Sequence, residues 1–525
     1  MFPQFKNIDS VRGKELKFTV DETECFFTNC LRRSVIADVN TVAFPEFAEE
    51  SSHQVDEKRE RKKNKLFLSL YIENLLEQGS ILNYSPGFIT IHENTTNFHN
   101  EIIMKRLSLI PIYLSPLNFL SDPSKYTFSL NVTHDTLNSL TLLDVTTADI
   151  KFHTTNEEDK EENKEENNEE DNEENKEENK EEMDVDECKT VNEEDKEGEE
   201  LILNSIFPPF IVSLEKKIFE NVKAKIPSEH GARFSDETTS ISTFPLLFKL
   251  LPGQTLRITM RPSVSSSFFH AAYNPVARAY YTNTLHQERI LEKLRTYDSV
   301  DTSDKMIIKE KEDFDCHDKH RYFVVNERKV ASSFNFVLES IGCFTCQDIL
   351  EVAFQTILSR LSKMKKQLSL KQMIHFDEKD FDVCDEKERT FYHCTLRIPE
   401  VYPSAYVANT KFHMNNGHTI ANLIHGVLYT FYTCERKDNL VLVSYRKPSP
   451  LDIRQDHDII LDSEVNFPHA LDPHIEYLFV WGIEKDAKPI TDHDALEKIS
   501  SYIEYVKEYV EGAYRNFLVA IEKSD

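Results

Sequence analysis

The sequence predicts an α+β fold in which one small module occurs twice, with a strand-rich insert inside the first copy. Four segments place apolar residues at helical spacing, and short runs of β-branched and aromatic residues lie between them. Two helical stretches near opposite ends also share one apolar pattern: aligned on Asn29 and Asn422 they read FTNCLRRSV and IANLIHGVL. The order is strand, helix, strand-rich middle, strand, helix, then strand, helix, strands, helix. Such an order places helices on one face of small sheets.

The first helix is expected over about Glu24–Ile36, within ECFFTNCLRRSVIADVNTVAF (24–44), with Phe27 and Leu31 on its packing face. FITIHE (88–93) and YTFSLNVT (126–133) then read as strands. Strand-like sequence resumes at LILNSIFPPFIV (201–212) and continues with TLRITMRP (255–262) and FNFVLES (334–340). The second helix, 346–368, aligns Ile349, Ala353, Ile357, Leu361, Met364 and Leu368. YHCTLRIP (392–399) is a strand. The third helix, opened by Asn415 or Asn416 as cap, carries Ile420, Leu423, Ile424, Val427, Leu428, Phe431 and Tyr432 on one stripe. NLVLVSY (439–445) and IEYLFVWG (475–482) are strands. The last helix, Asp494–Ile521, aligns Leu496, Ile499, Ile503, Val506, Val510, Ala513 and Phe517 in steps alternating three and four, the pattern of side-by-side helix packing.

At 525 residues the chain can fill several cores. Its net charge of −29 is unevenly spread: residues 157–200 hold 25 acidic and 6 basic residues, a net of −19, leaving −10 for the other 481. The run from Asn156 to Glu182 contains no apolar residue, so the tract 156–200 is expected to be a disordered surface insertion. A protein that grips nucleic acid by its own surface shows a basic stripe, and only KRERKKNK (58–65) resembles one. It is read as a solvated loop. No apolar span of about 20 residues occurs and MFPQFKNIDS lacks a signal pattern. The sequons at Asn83, Asn94 and Asn131 are therefore expected to stay unmodified, and the nine cysteines to stay reduced.

Candidate chemistry is sparse. EDFDCHDKH (312–320) is rich in carboxylates but lacks the convergent spacing of a magnesium site, and is read as a solvated acidic loop. CFTC (343–346) has the spacing of a zinc half-site but no second pair accompanies it. His418 and His425 lie seven apart on one helix, where capping or packing uses are expected. Neither GxxxxGK[ST], GxGxxG nor GxSxG is present. The reading is a chain with no metal, no cofactor and no enzymatic activity of its own.

GHTIANLIH (417–425) resembles the HTLGN-x-LR helix start of the bacterial alpha subunit of RNA polymerase and its archaeal and eukaryotic relatives. His418, Thr419, Asn422 and Leu423 match, while Ile420, Ala421 and His425 depart. VNFPHALDPHIEYLFVWG (465–482) resembles a stretch of the eleventh subunit of eukaryotic polymerase II, matching at Pro468, His469, Leu471 and Pro473. The N-terminal half resembles the third subunit. Asn29, Leu31, Arg32, Arg33 and Ala37 match its N-x-LRR-x-x-x-A helix; Asn94, Thr95, Glu101, Arg106, Leu107, Leu109, Ile110 and Pro111 match its NTS…RLGLIPL segment; HAAYNPVARAYY (270–281) resembles its PVA strand.

The resemblance implies two alpha-subunit-type dimerisation modules paired in cis through their helices. The first covers 1–47 and 263–372, interrupted by the insert 48–262; the second covers 373–525. Phe27, Leu31, Ile357, Leu361, Ile420, Leu423, Ile424, Val427, Ile503 and Val510 are the expected pairing residues. Arg32 and Arg33, expected to reach outward, together with Glu101 and Arg106, are the expected contacts to the two largest polymerase subunits. It further implies a non-catalytic assembly platform, one copy per complex, with small subunits as further partners, no sequence-specific nucleic-acid contact and no membrane. The family's four-cysteine zinc cluster is missing, since the insert holds only Cys188. Fusion of the two halves resembles the arrangement in nucleocytoplasmic large DNA viruses, implying virion and host cytoplasm, or the nucleus if the chain is cellular. An acidic scaffold or chaperone with the same fold stays open as the alternative.

Overall fold

The computed structural model describes residues 2–45, 66–69, 87–134, 142–153, 205–213, 215–225, 232–235, 239–268, 270–298, 304–368, 374–377, 389–399, 401–403, 410–413, 418–435, 437–448, 474–484 and 490–523. The fold is mixed helix and strand, as an α+β reading requires. The acidic tract 156–200, the basic run 58–65, the caps Asn415 and Asn416, and Pro468 and His469 lie outside the described residues.

Two four-stranded antiparallel sheets have the same connectivity. The first runs in the order Gln4–Val11, Glu15–Asp21, Ser333–Ser340, Val276–Asn283. The second runs Ile374–Asp377, Arg389–Pro399, His474–Glu484, Leu440–Arg446. In each, a helix follows the second strand along the chain and a longer helix follows the fourth. These helices are α1 (Cys25–Ala37) and α2 (Cys346–Leu368) in the first unit, and α3 (His418–Leu428) and α4 (Asp492–Glu522) in the second.

Alternation explains the sheets. Along Glu15–Asp21, Leu16, Phe18 and Val20 point into the core, and along Ser333–Ser340 so do Phe334, Phe336 and Leu338. Both long helices start at a reciprocal cap. Thr345 Oγ1 accepts from the Asp348 amide at 3.2 Å while the Asp348 carboxylate accepts from the Thr345 amide. Thr491 and Asp494 repeat that arrangement at 3.3 and 3.1 Å. The cap sets α4 to begin at Asp492, two residues before the expected start.

Between the two strands of the first unit that flank it, the insert builds its own sheet: Phe88–Asn94, Thr255–Arg261, Thr127–Thr133, Ile150–His153. Its core holds Ile89, Phe128, Leu130, Phe248, Leu256, Ile258 and Met260, and it extends to Val42 and Val264 on the paired strands Asn40–Ala43 and Ser263–Ser266. One strand of the second unit, Thr410–His413, pairs in parallel with Leu66–Ser69.

Several expectations require correction. EDFDCHDKH is not a loop. The helix Asp304–Asp313 runs into a π turn, Phe314–Asp318, and a 3-10 turn, Lys319–Arg321. Phe314 anchors it, buried between Tyr297 (6.1 Å) and Tyr322 (5.4 Å). The helices Asn100–Ser108, Pro116–Ser121, Lys216–Lys225 and Gln287–Asp298 were not anticipated, being short or mostly polar. Among the described residues at 205–213 the strand is Phe210–Ser213, after a helical turn at 205–206 and the two prolines. α3 passes at residue 429 into a π turn, Tyr429–Thr433, which shifts the phase and leaves Phe431 and Tyr432 at the margin of the stripe.

Candidate functional site at the junction of the two units

The side chains expected to pair the helices come together. Phe27 and Leu31 of α1, Ile357 and Leu361 of α2, Ile420, Leu423, Ile424 and Val427 of α3, and Ile503 and Val510 of α4 are all buried in one apolar core. α1 packs on α2 and α3, and α4 packs on α2, on α3 and on the strand Gln4–Val11. At 31 residues α4 is about 46 Å long, enough to span both units.

Aromatic rings from α4 enter the first unit. Tyr509 stands edge-on to Phe27 at 5.8 Å, and its hydroxyl pairs with Thr23 Oγ1 at 3.1 Å. Burial pushes that phenol above its ordinary range, so it stays a neutral hydrogen-bonding group. Phe517 meets Phe5 at 5.4 Å and Phe354 at 5.7 Å. At the margins, Lys365 pairs with Glu504 at 2.9 Å and Asn516 donates to the Pro3 carbonyl at 2.9 Å. Arg328 joins three elements: it pairs with Glu24 at the start of α1, donates to Thr430 Oγ1 at 3.1 Å, and lies 3.2 Å from Cys434 Sγ. Tyr509, Thr23, Arg328 and Phe354 escaped the sequence reading. Phe354 and Tyr509, each one residue from a helix stripe, carried a local signal.

One buried ionic group locks each unit internally. Asp38, at the end of α1, receives both terminal nitrogens of Arg360 on α2 at 2.7 and 2.8 Å and the Ser34 hydroxyl at 2.9 Å, with both charged side chains at most 3% exposed. Glu476 lies under Arg397 (2.8 Å) and Arg446 (2.5 Å), with His474 at 3.5 Å. Burial alone would raise its pKa, but the hydrogen bonds from His474 and Arg446 and the nearby guanidinium charges outweigh it and hold the carboxyl down at about 2.

The other predicted residues are distributed. Of the two arginines expected to reach outward, Arg32 turns back on Asn29 Oδ1 (3.1 and 2.9 Å) and both are half-buried. Glu101 is exposed in the first turn of its helix, and Arg106 lies over the rings of Phe98 and Phe248 at 5.9 and 5.5 Å. Thr419 is buried, His418 exposed and Asn422 half-buried. In CFTC, the buried Cys346 thiol donates to the Lys14 carbonyl at 3.1 Å, and burial pushes both thiols up to about 11. Among the described residues no group of three or more His, Cys, Asp or Glu is placed to hold a metal, and no helix is long and apolar enough to cross a membrane. Compared with known proteins, the chain matches no protein-family model and no curated sequence.

Proposed function

We propose that this chain is a non-catalytic assembly platform of a multisubunit DNA-directed RNA polymerase, with two alpha-subunit-type modules paired in cis. The observation that carries the reading is the repeated topology. Two units with one strand order, each followed by its own short and long helix, share a single core between residues more than 300 positions apart. Two of the motifs that carry the resemblance fall on those elements: the third-subunit-like N-x-LRR on α1 and the alpha-subunit-like HTIANLIH stretch on α3.

In a two-chain arrangement such a junction forms by encounter. Within one polypeptide the partner unit is present at an effective concentration in the millimolar range, so the pair rarely opens. The joined units then offer the two largest subunits one preformed surface, with one copy in each complex.

The test is to recover a tagged copy from its native setting and identify by mass spectrometry what accompanies it. Two very large subunits in equal amount, lost when Arg32 and Arg33 are both changed to Glu, support the platform. Recovery alone or with chromatin proteins refutes it. Deleting residues 156–200 separates the platform from an acidic chaperone: the platform predicts near-normal assembly, the chaperone loss of function.

A further inference from the structure

Along the outer face of α4 runs an open groove of about 540 Å³, bounded by Lys365 of α2 and by Tyr432 of the π turn. α4 itself contributes Glu497, Glu504, Tyr505 and Glu508, with only the small side chains of Ser500 and Ser501 among them. Glu497, Ser501, Glu504, Tyr505 and Glu508 fall at offsets 0, 4, 7, 8 and 11, on the side of the helix opposite the buried Ile499, Ile503, Val506 and Val510. The π turn brings Tyr432 to this face. Its ring meets Tyr505 at 5.2 Å and 82°, and leans on the buried Tyr502 at 4.9 Å. Tyr502 is fixed in turn, since the Trp481 indole N–H donates to its hydroxyl at 3.0 Å. Burial raises the pKa of both Tyr432 and Tyr505, so these phenols stay neutral. Glu504 is engaged by Lys365 at 2.9 Å and Lys507 at 3.7 Å. Glu497 and Glu508 are exposed and have no ion pair among the described residues.

We propose that this groove is the docking site of a basic, lysine-rich segment of a protein partner. Three carboxylates there face one ammonium, and Glu504 and Glu508, one turn apart, repel each other until a cation lies between them. An aromatic pair held beside carboxylates is a setting that ammonium groups favour, because ring faces and carboxylates both attract positive charge. The spacing suits an extended chain. Glu504 and Glu508 lie about 6 Å apart along the helix axis and Glu497 and Glu508 about 16 Å apart, while an extended segment advances about 3.3 Å per residue. Lysines two residues apart therefore match the closer pair, and about five residues span the groove. An open channel of that length fits a chain better than a single small cation, which needs enclosure. A phosphate backbone is repelled by the same carboxylates. The net charge of −29 draws a basic partner to the chain as a whole, and the groove supplies the place where its side chains are read. None of this depends on the platform reading, since no polymerase subunit is invoked.

The test incubates the full chain with a peptide of alternating lysine and glycine that carries a central photo-reactive benzophenone, and maps the cross-links by mass spectrometry. Cross-links to α4 and the π turn are expected, in a yield that falls as salt rises. Glu497→Lys combined with Glu508→Lys lowers that yield about tenfold or more with an unchanged thermal midpoint, and Tyr505→Leu lowers it about threefold. Cross-links confined to the acidic tract 156–200 overturn the proposal, and so do groove cross-links of equal yield in wild type and variants. Groove labelling that appears only after residues 58–65 are deleted assigns the groove to the chain's own basic run and overturns the partner. Spermine that displaces the peptide at a lower concentration than an unlabelled copy of the peptide makes the groove a polyamine site, with the same consequence.

Discussion

Phe26 of α1 lies directly on Gly426 of α3, so that a methyl group at position 426 falls on the Phe26 Cβ and on ring atoms Cγ and Cδ1. Glycine there serves close approach between the two units. Gly426→Ala is expected to overpack the junction by about 1–3 kcal/mol, against about 1 kcal/mol gained in helix propensity. The net is a loss of stability in urea unfolding. In a Phe26→Ala background the same change becomes neutral or stabilising. If Gly426→Ala is as stable as wild type with Phe26 in place, the close crossing is wrong.

Arg360 and Asp38 join the end of α1 to the body of α2 in a site almost closed to solvent. Arg360→Met leaves the buried Asp38 carboxylate without its cation, which costs about 3–5 kcal/mol. Removing both charges together, as Arg360→Met with Asp38→Leu, is expected to restore most of it. Denaturant midpoints of the two variants decide the point, since equal loss in both would place the defect in packing and not in the stranded charge.

Much of this architecture is legible in the chain. The stripes of α2 and α4 identify the long helices because apolar residues recur every three or four positions over many turns, in strict alternation along α4. The likeness of FTNCLRRSV to IANLIHGVL shows a repeated helix because apolar spacing is kept where identity is not. Even the T-x-x-D cap preceding both long helices is present in the letters, at Thr345 and Thr491, and marks the repeat as clearly as the apolar pattern does.

The rest depends on tertiary context. Asn100–Ser108 and Gln287–Asp298 are short or polar enough that packing decides them. Phe314 turns an acidic run into helix by finding Tyr297 and Tyr322, neighbours that spacing does not reveal. The Thr23–Tyr509 bridge joins residues 486 positions apart, beyond any local signal. The bond of Arg32 to Asn29, which Arg33 does not share, is likewise invisible in LRRS, because adjacent helical residues face different neighbours.

The Glu476 cluster makes stability depend on acid. Its folded pKa of about 2 lies below the ordinary value near 4.5, so the contribution is complete above about pH 4.5 and is lost as pH falls toward 2. The wild type should lose about 2–3 kcal/mol more than Glu476→Gln between pH 5 and pH 2. Parallel stability curves for the two proteins across that window would show that Arg397 and Arg446 do not hold the charge in solution.

The cysteines report on the same core without mutation. Cys25, Cys316 and Cys434 are exposed, while Cys30, Cys346 and Cys394 are buried and their thiols are pushed up to about 12, 11 and 12. A three-unit rise lowers the thiolate fraction at neutral pH by roughly a thousandfold, before any shielding by packing. Brief iodoacetamide treatment at about pH 7.5, read residue by residue by mass spectrometry, should therefore label the exposed three and spare the buried three. In denaturant all six should label together. Early labelling of Cys346 in native buffer would mean that its bond to the Lys14 carbonyl, and the seat of α2 on the first sheet, are not maintained.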